Sequence, residues 1–434
     1  MNIYMVSLGC AKNRVDSEMI LGVCKENNMM VVDDPSEADL LMVNTCGFIE
    51  SAKEEAIQTI LELASYKNNN KKLLVFGCLA QRYKEELIKA IPEVDRFVSI
   101  AEYGNISQIL NDLLKGDYKI HGSMSALNRL VSTPSYMRYI KISEGCRNRC
   151  AFCAIPLIRG TLVSTPIEEV VEDVKNAVND GVYEINLISQ DTTRYGEDLY
   201  KKLALVDLLK EIIKINGDFK VRLLYLYPDI VTDELIEFIK NNDNIMPYFD
   251  IPIQHTEDLV LKKMYRRGNR EFLLNLFKKI KKEIPEAILR TTLMVGFPYE
   301  TKEDVKNMIS FMKEVKFDRL GAFTYSREEG TVGYTYPDII SQDEMNHRYS
   351  QIMNAQKRIS LENNQKMIGK MVECFIEEYD EESYMYKARN YAYAPDDIDG
   401  AIYVAAKGEH NPGDKIKVMI LDADEYSLTG EEIE

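Results

Sequence analysis

Apolar runs of strand length alternate with amphipathic stretches of helix length through most of this 434-residue chain, and that alternation limits the folds open to it. Strands separated by helices are joined by crossovers, so they run parallel and are covered on both faces. In residues 1–118 the expected strands are 3–9, 29–34, 38–45, 72–77 and 96–100. Helices are expected over 14–27, with Val15, Met19, Leu21, Gly22 and Val23 toward one side, over 49–66, from 81, and near 104–114.

Three of these strands end in the same way: SLGC brings Cys10, VNTC brings Cys46 and VFGC brings Cys78. Ligands of an open parallel sheet bind beyond the carboxyl ends of its strands, so topology gathers these thiols on one edge. Gly9, Gly47 and Gly77 beside them let the backbone turn and approach a bulky group. Cys24, inside a helix on an apolar face, and Cys374, in an apolar strand, read instead as ordinary buried cysteines.

Eight cysteines are too few for a disulfide framework in a chain this long, so clustered thiols read as metal ligands or redox groups. No run approaches about 18 apolar residues, and the first residues lack a signal-peptide layout, which points to a cytoplasmic protein with no membrane contact. A formal charge of −16 disfavours general binding of nucleic acid and suits a basic partner. Residues 119–135, rich in Ser and without periodicity, read as a linker, and His121 within it as a solvated histidine.

From 136 to 365 the alternation resumes in longer units. Strands are expected at 139–145, 184–191, 220–227, 246–252, 288–297 and 319–326. Helices between them include 166–180, opened by Thr165 and Pro166, and 270–284. Six such units suggest an open relative of the eight-fold barrel, with function in the loops at the strands' carboxyl ends. Gln190, Asp191, Tyr225, Tyr227, Gln254, His255, Gly296, Phe297 and Pro298 fall at that mouth. Packing for the tyrosines, and helix capping for Gln190 and Asp191, are equally good readings.

The loop after the first barrel strand reads SEGCRNRCAFC, with Cys146, Cys150 and Cys153 in C-x3-C-x2-C spacing. Zinc sites more often pair C-x2-C units or combine cysteines with histidines, and only His255 falls at this mouth. A cluster with one iron free of protein ligand fits the trio better than a three-cysteine, one-histidine zinc site.

GCRNRCAFC followed by AIPLIRG resembles the signature of the radical S-adenosylmethionine (SAM) enzymes. The resemblance implies that Cys146, Cys150 and Cys153 hold a [4Fe–4S] cluster whose open iron takes SAM, the source of a 5′-deoxyadenosyl radical. With VSLGCAKNRVDSEMILG, NTCGFIESAKEEAI, GCLAQRYKEEL, ISQDTTRYG, PYFDIPIQH and VGFPYETKEDV, the whole chain is similar to the methylthiotransferases, RimO branch. That branch modifies an aspartate β-carbon on ribosomal small-subunit protein S-twelve. Ala11 and Arg14 stand where it carries Pro and Leu, and Arg267 where Pro is usual. The resemblance further implies a flavodoxin-like first domain, and a second [4Fe–4S] cluster on Cys10, Cys46 and Cys78 that carries the sulfur. It also implies a low-potential electron donor such as flavodoxin or ferredoxin, and a monomer.

From 366 to 434 short strands and an NPGD turn suggest a small β-barrel, which resembles the TRAM domain. Residues 365–434 hold 7 Lys plus Arg against 17 Asp plus Glu. Such a barrel repels RNA and attracts a basic protein. This weighs against a tRNA methylthiotransferase, which remains the alternative enzyme, and a zinc-stabilised RNA-binding or ribosome-assembly protein is the alternative without catalysis.

Overall fold

The computed structural model describes residues 1–68, 70–114, 119–337 and 340–433. Its first part is a parallel sheet of β1 (Asn2–Ser7), β2 (Met30–Val31), β3 (Leu40–Thr45), β4 (Lys72–Gly77) and β5 (Arg96–Val98). The order is β2-β1-β3-β4-β5, the flavodoxin-like winding, which reverses between β1 and β3. The helices are α1 (Ala11–Glu26), α2 (Glu50–Ser65), α3 (Cys78–Ala90) and α4 (Ile106–Leu114). One face of the sheet is covered by Ile20 and Val23 of α1 with Ile109 and Leu110 of α4; the other by Ile60 of α2 and Leu87 of α3. Residues 115–118, the end of the expected first unit, lie outside the described residues.

Two expectations are corrected here. The strand expected over 29–34 shrinks to Met30–Val31, because it pairs with β1 alone at the sheet edge and Asp34 then caps a 3-10 turn. Helix α1 is not one-sided. Ile20 and Val23 enter the sheet core, whereas Val15 packs on Tyr136, Tyr139 and Leu224 of the next domain. Lys12, Asn13, Asp16 and Glu18, polar residues of the same helix, are buried as well.

The central domain begins with β6 (Met137–Lys141), followed by a short antiparallel pair, β7 (Ser143–Glu144) and β8 (Val163–Ser164), that brackets the cysteine loop and α5 (Ile155–Arg159). Then come α6 (Ile167–Asn179), β9 (Glu184–Ile188), α7 (Leu205–Ile212), β10 (Lys220–Leu223), α8 (Asp233–Lys240) and β11 (Tyr248–Asp250). After these follow α9 (Asp258–Lys263), α10 (Arg270–Glu283), β12 (Ile288–Val295), α11 (Lys302–Val315), β13 (Arg319–Thr324) and α12 (Gln342–Gln365). The strands form two parallel sheets, β10-β9-β6 and β11-β12-β13, linked by the bridge between Val221 and Ile245. This is the expected open barrel, with one apolar core from Ile140 to Ile359. Helix α6 starts one residue later than expected: Pro166 is its cap, and the free N–H of Ile167 donates to the Tyr200 hydroxyl.

The last part is a closed barrel of β14 (Met371–Asp380), β15 (Met385–Arg389), β16 (Ile402–Ala405), β17 (Lys415–Ala423) and β18 (Leu428–Ile433). Arg389 docks it on β9 through Glu184 at 2.6 Å, and Asp399 on β12 through Arg290 at 3.1 Å. Asp396 takes Arg14 of α1 at 3.2 Å and the Tyr139 hydroxyl at 2.7 Å. Part of the acidity of this domain therefore serves docking, while Glu373, Glu378, Glu381, Glu382, Glu409 and Asp422 face solvent. No helix among the described residues is long and apolar enough to cross a membrane.

Candidate functional site

The three strand-end cysteines of the first domain meet. Cys10 caps α1 after β1, Cys46 follows β3, and Cys78 opens α3 after β4, all at the carboxyl edge where the winding reverses. Gly9 makes the approach possible: at φ +89° it adopts a left-handed turn, and a Cβ there would stand 2.9 Å from Cys46 Cβ and 3.3 Å from its Sγ. Gly77, at φ +100°, plays the same part before Cys78. Burial pushes the Cys78 thiol up to about 12 and raises that of Cys46, with the neighbouring thiols adding to both. Burial makes the thiolates costly, the Arg159 guanidinium works the other way, and a bound metal offsets the remaining cost.

A polar network underlies this trio. Asn13 Oδ1 lies 3.5 Å from Cys78 Sγ and accepts from Arg159 Nη2 at 2.6 Å. Arg159 also pairs with Asp16 at 2.9 Å and Glu144 at 2.8 Å. Lys141 pairs with Glu144 at 2.8 Å and with Asp16. Burial alone would raise the Glu144 carboxyl, but Lys141 and Arg159 hold it well below the usual carboxylate range. Sequence reasoning missed Asn13, Asp16, Glu144 and Arg159. Their signal was weak, since polar residues on a helix or a short edge strand ordinarily face water.

The second trio, Cys146, Cys150 and Cys153, lies on one loop past β7. Burial pushes the Cys146 thiol up to about 11 and that of Cys153 higher still. The loop is tied down on all sides. Asn148 donates to Asp191 at 2.5 Å and accepts from Arg194 Nε at 2.8 Å. Gln190 donates to Glu144 at 2.6 Å. Phe152 sets its edge against Phe297, ring centres 6.4 Å apart. Tyr227 brings its hydroxyl to 3.5 Å from Cys150 Sγ, and Arg266, stacked on Tyr227 at 3.9 Å, donates to that sulfur at 3.8 Å.

Other expected mouth residues divide by role. Tyr225, at φ +63°, turns to the first domain and carries Lys12 over its ring at 3.3 Å. His255 is fully buried, with Nδ1 accepting from the Glu257 N–H at 3.1 Å and Nε2 facing Glu300 at 3.2 Å. Both ring nitrogens are engaged, so it supplies no metal ligand. Gln190 and Gln254 each keep a buried carbonyl oxygen without a partner, a place for a donor on a bound molecule. Asp191, at the start of the 3-10 turn Thr192–Arg194, holds the cysteine loop through Asn148. Gly296 and Pro298 line a cavity of about 700 Å³ with residues 49–51, which follow Cys46, and Tyr325 and Ser326.

The two trios adjoin. Ala154, directly after Cys153, and Ile158 of α5 pack against Cys78. Arg82 of α3 and Lys53 of α2 converge on buried Glu328 past β13, at 2.6 and 3.3 Å, which fixes the first domain over the mouth. Among the described residues no group of three His, Cys, Asp or Glu closes on a single metal ion. Each trio offers three thiols, which could take three irons of a four-iron cluster and leave the fourth free. Cys24 and Cys374 lie in apolar cores, where burial pushes each thiol up to about 12.

Comparison with known proteins gives three family matches along the chain. Residues 2–99 match the uncharacterized protein family UPF0004, residues 140–312 the radical SAM superfamily, and residues 368–433 the TRAM domain. The ribosomal protein uS12 methylthiotransferase RimO of Acetivibrio thermocellus is 44% identical, covering 99% of this chain and 98% of that protein. That of Desulforamulus reducens is 46% identical, covering 99% of each. Among solved structures, the radical SAM methyltransferase TsrM of Kitasatospora setae shares the fold at a TM-score of 0.56, with 13% identity over 74% of this chain and 72% of that one. The chain thus belongs to the RimO family of radical SAM methylthiotransferases.

Proposed function

We propose that the chain inserts a methylthio group at the β-carbon of an aspartate on ribosomal protein uS12. The observation that carries this reading is the pair of adjoining cysteine trios in a chain 44–46% identical to uS12 methylthiotransferases. Membership in the radical SAM superfamily implies a [4Fe–4S] cluster and SAM. We assign that cluster to Cys146, Cys150 and Cys153, and a second to Cys10, Cys46 and Cys78. Together, the bound groups supply abstraction of hydrogen from an unactivated C–H bond, and sulfur and methyl for the carbon left behind.

The protein's own work is positioning. Asn148, Asp191 and Arg194 hold the loop that carries the barrel trio. The unpartnered carbonyls of Gln190 and Gln254 suit the amino and hydroxyl donors of SAM. Arg82, Lys53 and Glu328 keep the first domain closed on the mouth and limit water there. The cavity between residues 49–51 and the ends of β12 and β13 is the path for the substrate loop. Exposed acids of the terminal barrel attract a basic ribosomal protein. The units are 1–118, a linker 119–135, 136–365 and 366–434, acting in the cytoplasm as a monomer with a flavodoxin- or ferredoxin-type donor.

Mass spectrometry of ribosomal proteins and tRNA from a deletion strain tests the assignment. Loss of the methylthio increment on uS12, restored by the gene, is the expected result. Loss from tRNA with uS12 intact would refute it.

A further inference from the structure

We propose that Arg159 is a positioning residue through which the central domain sets the redox properties of the first domain's cysteine trio. The proposal rests on the reading that Cys10, Cys46 and Cys78 hold a [4Fe–4S] cluster. By sequence Arg159 belongs to the other trio, six residues after Cys153 at the end of α5. Its guanidinium nevertheless turns toward the first domain. It donates to Asn13 Oδ1 at 2.6 Å and pairs with Asp16 at 2.9 Å, both on the helix that Cys10 caps. Asn13 Oδ1 is in turn 3.5 Å from Cys78 Sγ, and Ile158, next to Arg159, packs on Cys78. The Arg159 side chain is 1% exposed.

A buried cation beside thiolates favours the more negative, reduced state of the group they hold, and low dielectric strengthens the effect. Asp16 and Glu144, which also pair with Lys141, fix the guanidinium and balance its charge, so removing Arg159 alone leaves a net negative charge beside the trio. The barrel trio has its own counterpart in Arg266, which donates to Cys150. Each trio therefore carries one buried arginine, but the first domain borrows its own from its neighbour. Its cluster acquires its working potential only when the two domains are docked.

The test is an EPR-monitored redox titration of the anaerobically reconstituted full chain, with each cluster isolated by replacing the other trio with Ala. Arg159→Gln should lower the midpoint potential of the first-domain cluster, cutting its reduced-to-oxidised ratio at a fixed poise by roughly threefold or more. Arg159→Lys, which keeps the charge, should give a smaller shift of the same sign and serves alone if the Gln variant does not fold. Arg266→Gln should shift only the barrel cluster. An unmoved first-domain midpoint in both Arg159 variants, or equal shifts in both clusters, would overturn the proposal. A wild-type chain that binds only about four irons would overturn the two-cluster reading, and the proposal with it.

Discussion

The two cysteine trios are assembled in opposite ways. Cys146, Cys150 and Cys153 sit within eight residues of one loop, so their proximity is local and survives whatever the rest of the chain does. Cys10, Cys46 and Cys78 span most of a domain and meet only because β1, β3 and β4 run parallel and adjacent. One trio is written in spacing, the other in topology. The supports differ accordingly. The barrel trio is braced by side chains of its own domain, Asn148, Asp191, Tyr227 and Arg266. The first-domain trio relies on Arg159 and Glu144 across the interface. A local trio can be tuned by its own loop, whereas a topological one depends on domain docking.

The largest effects should come from removing either trio outright. Replacing Cys146, Cys150 and Cys153 by Ala should cut bound iron from about eight to about four atoms per chain and abolish SAM cleavage. Replacing Cys10, Cys46 and Cys78 should cost the same iron and the methylthio product, yet leave SAM cleavage in place. Iron analysis with product chromatography checks both; equal loss of cleavage in the two variants would break the contrast.

Next in size is a change that touches neither trio. Glu184 is fully buried between Arg222 at 2.7 Å and Arg389 at 2.6 Å, joining β9 to the terminal barrel. Glu184→Ala leaves buried Arg222 without a carboxylate and Arg389 with Glu377 alone, and should cost ~3–5 kcal/mol in urea unfolding, while both clusters still load. Burial works against its carboxylate, but the two arginines hold its pKa below the usual range. Its contribution to stability is therefore present above the unfolded carboxylate value of about 4.3 and lost as pH falls through the lower folded value. Urea midpoints of the apoprotein should be level from pH 7 to about 5 and drop below about 4, with a smaller drop in the Glu184→Ala variant.

Loosening one support should separate the trios further. Asn148→Ala unties the barrel loop from Asp191 and Arg194 and should weaken iron retention there by roughly 10–100-fold, leaving the first-domain cluster intact. Chelator-challenge kinetics read this directly. The smallest effect concerns substrate capture. Raising salt from about 0.05 to about 0.3 M should raise the apparent KM for uS12 roughly threefold, since exposed acids steer a basic partner. A salt-independent KM would remove that role from the terminal barrel.

Much of this architecture was legible because strand period and crossover length restrict topology strongly. The parallel first sheet, the six-strand barrel and the terminal β-barrel follow from apolar runs and turn residues. Cys10, Cys46 and Cys78 were findable because each follows a strand. What stayed hidden was polar and buried. Asn13 and Asp16 look solvated on α1, yet Asn13 donates to the Leu8 and Thr45 carbonyls of its own domain and Asp16 pairs with Arg159 of the central one. Arg159 looks like a helix-terminal cation, yet its partners Asp16 and Asn13 lie 143 and 146 positions away in sequence. Interfaces between domains leave little periodic trace, so the supports of the first-domain trio had to be seen in three dimensions, whereas Asp191 and Tyr227 of the barrel trio already stood out at strand ends. His255 shows the converse: a histidine at the mouth invites a metal role, but Glu257 and Glu300 take both its nitrogens.

The central claim is that two clusters face one another across the domain interface. Pulsed EPR on the fully loaded, reduced chain measures this most directly. Dipolar coupling between two paramagnetic centres, replaced by an isolated signal when either trio is changed to Ala, is the predicted result. A single centre, or two that show no mutual coupling, would contradict it.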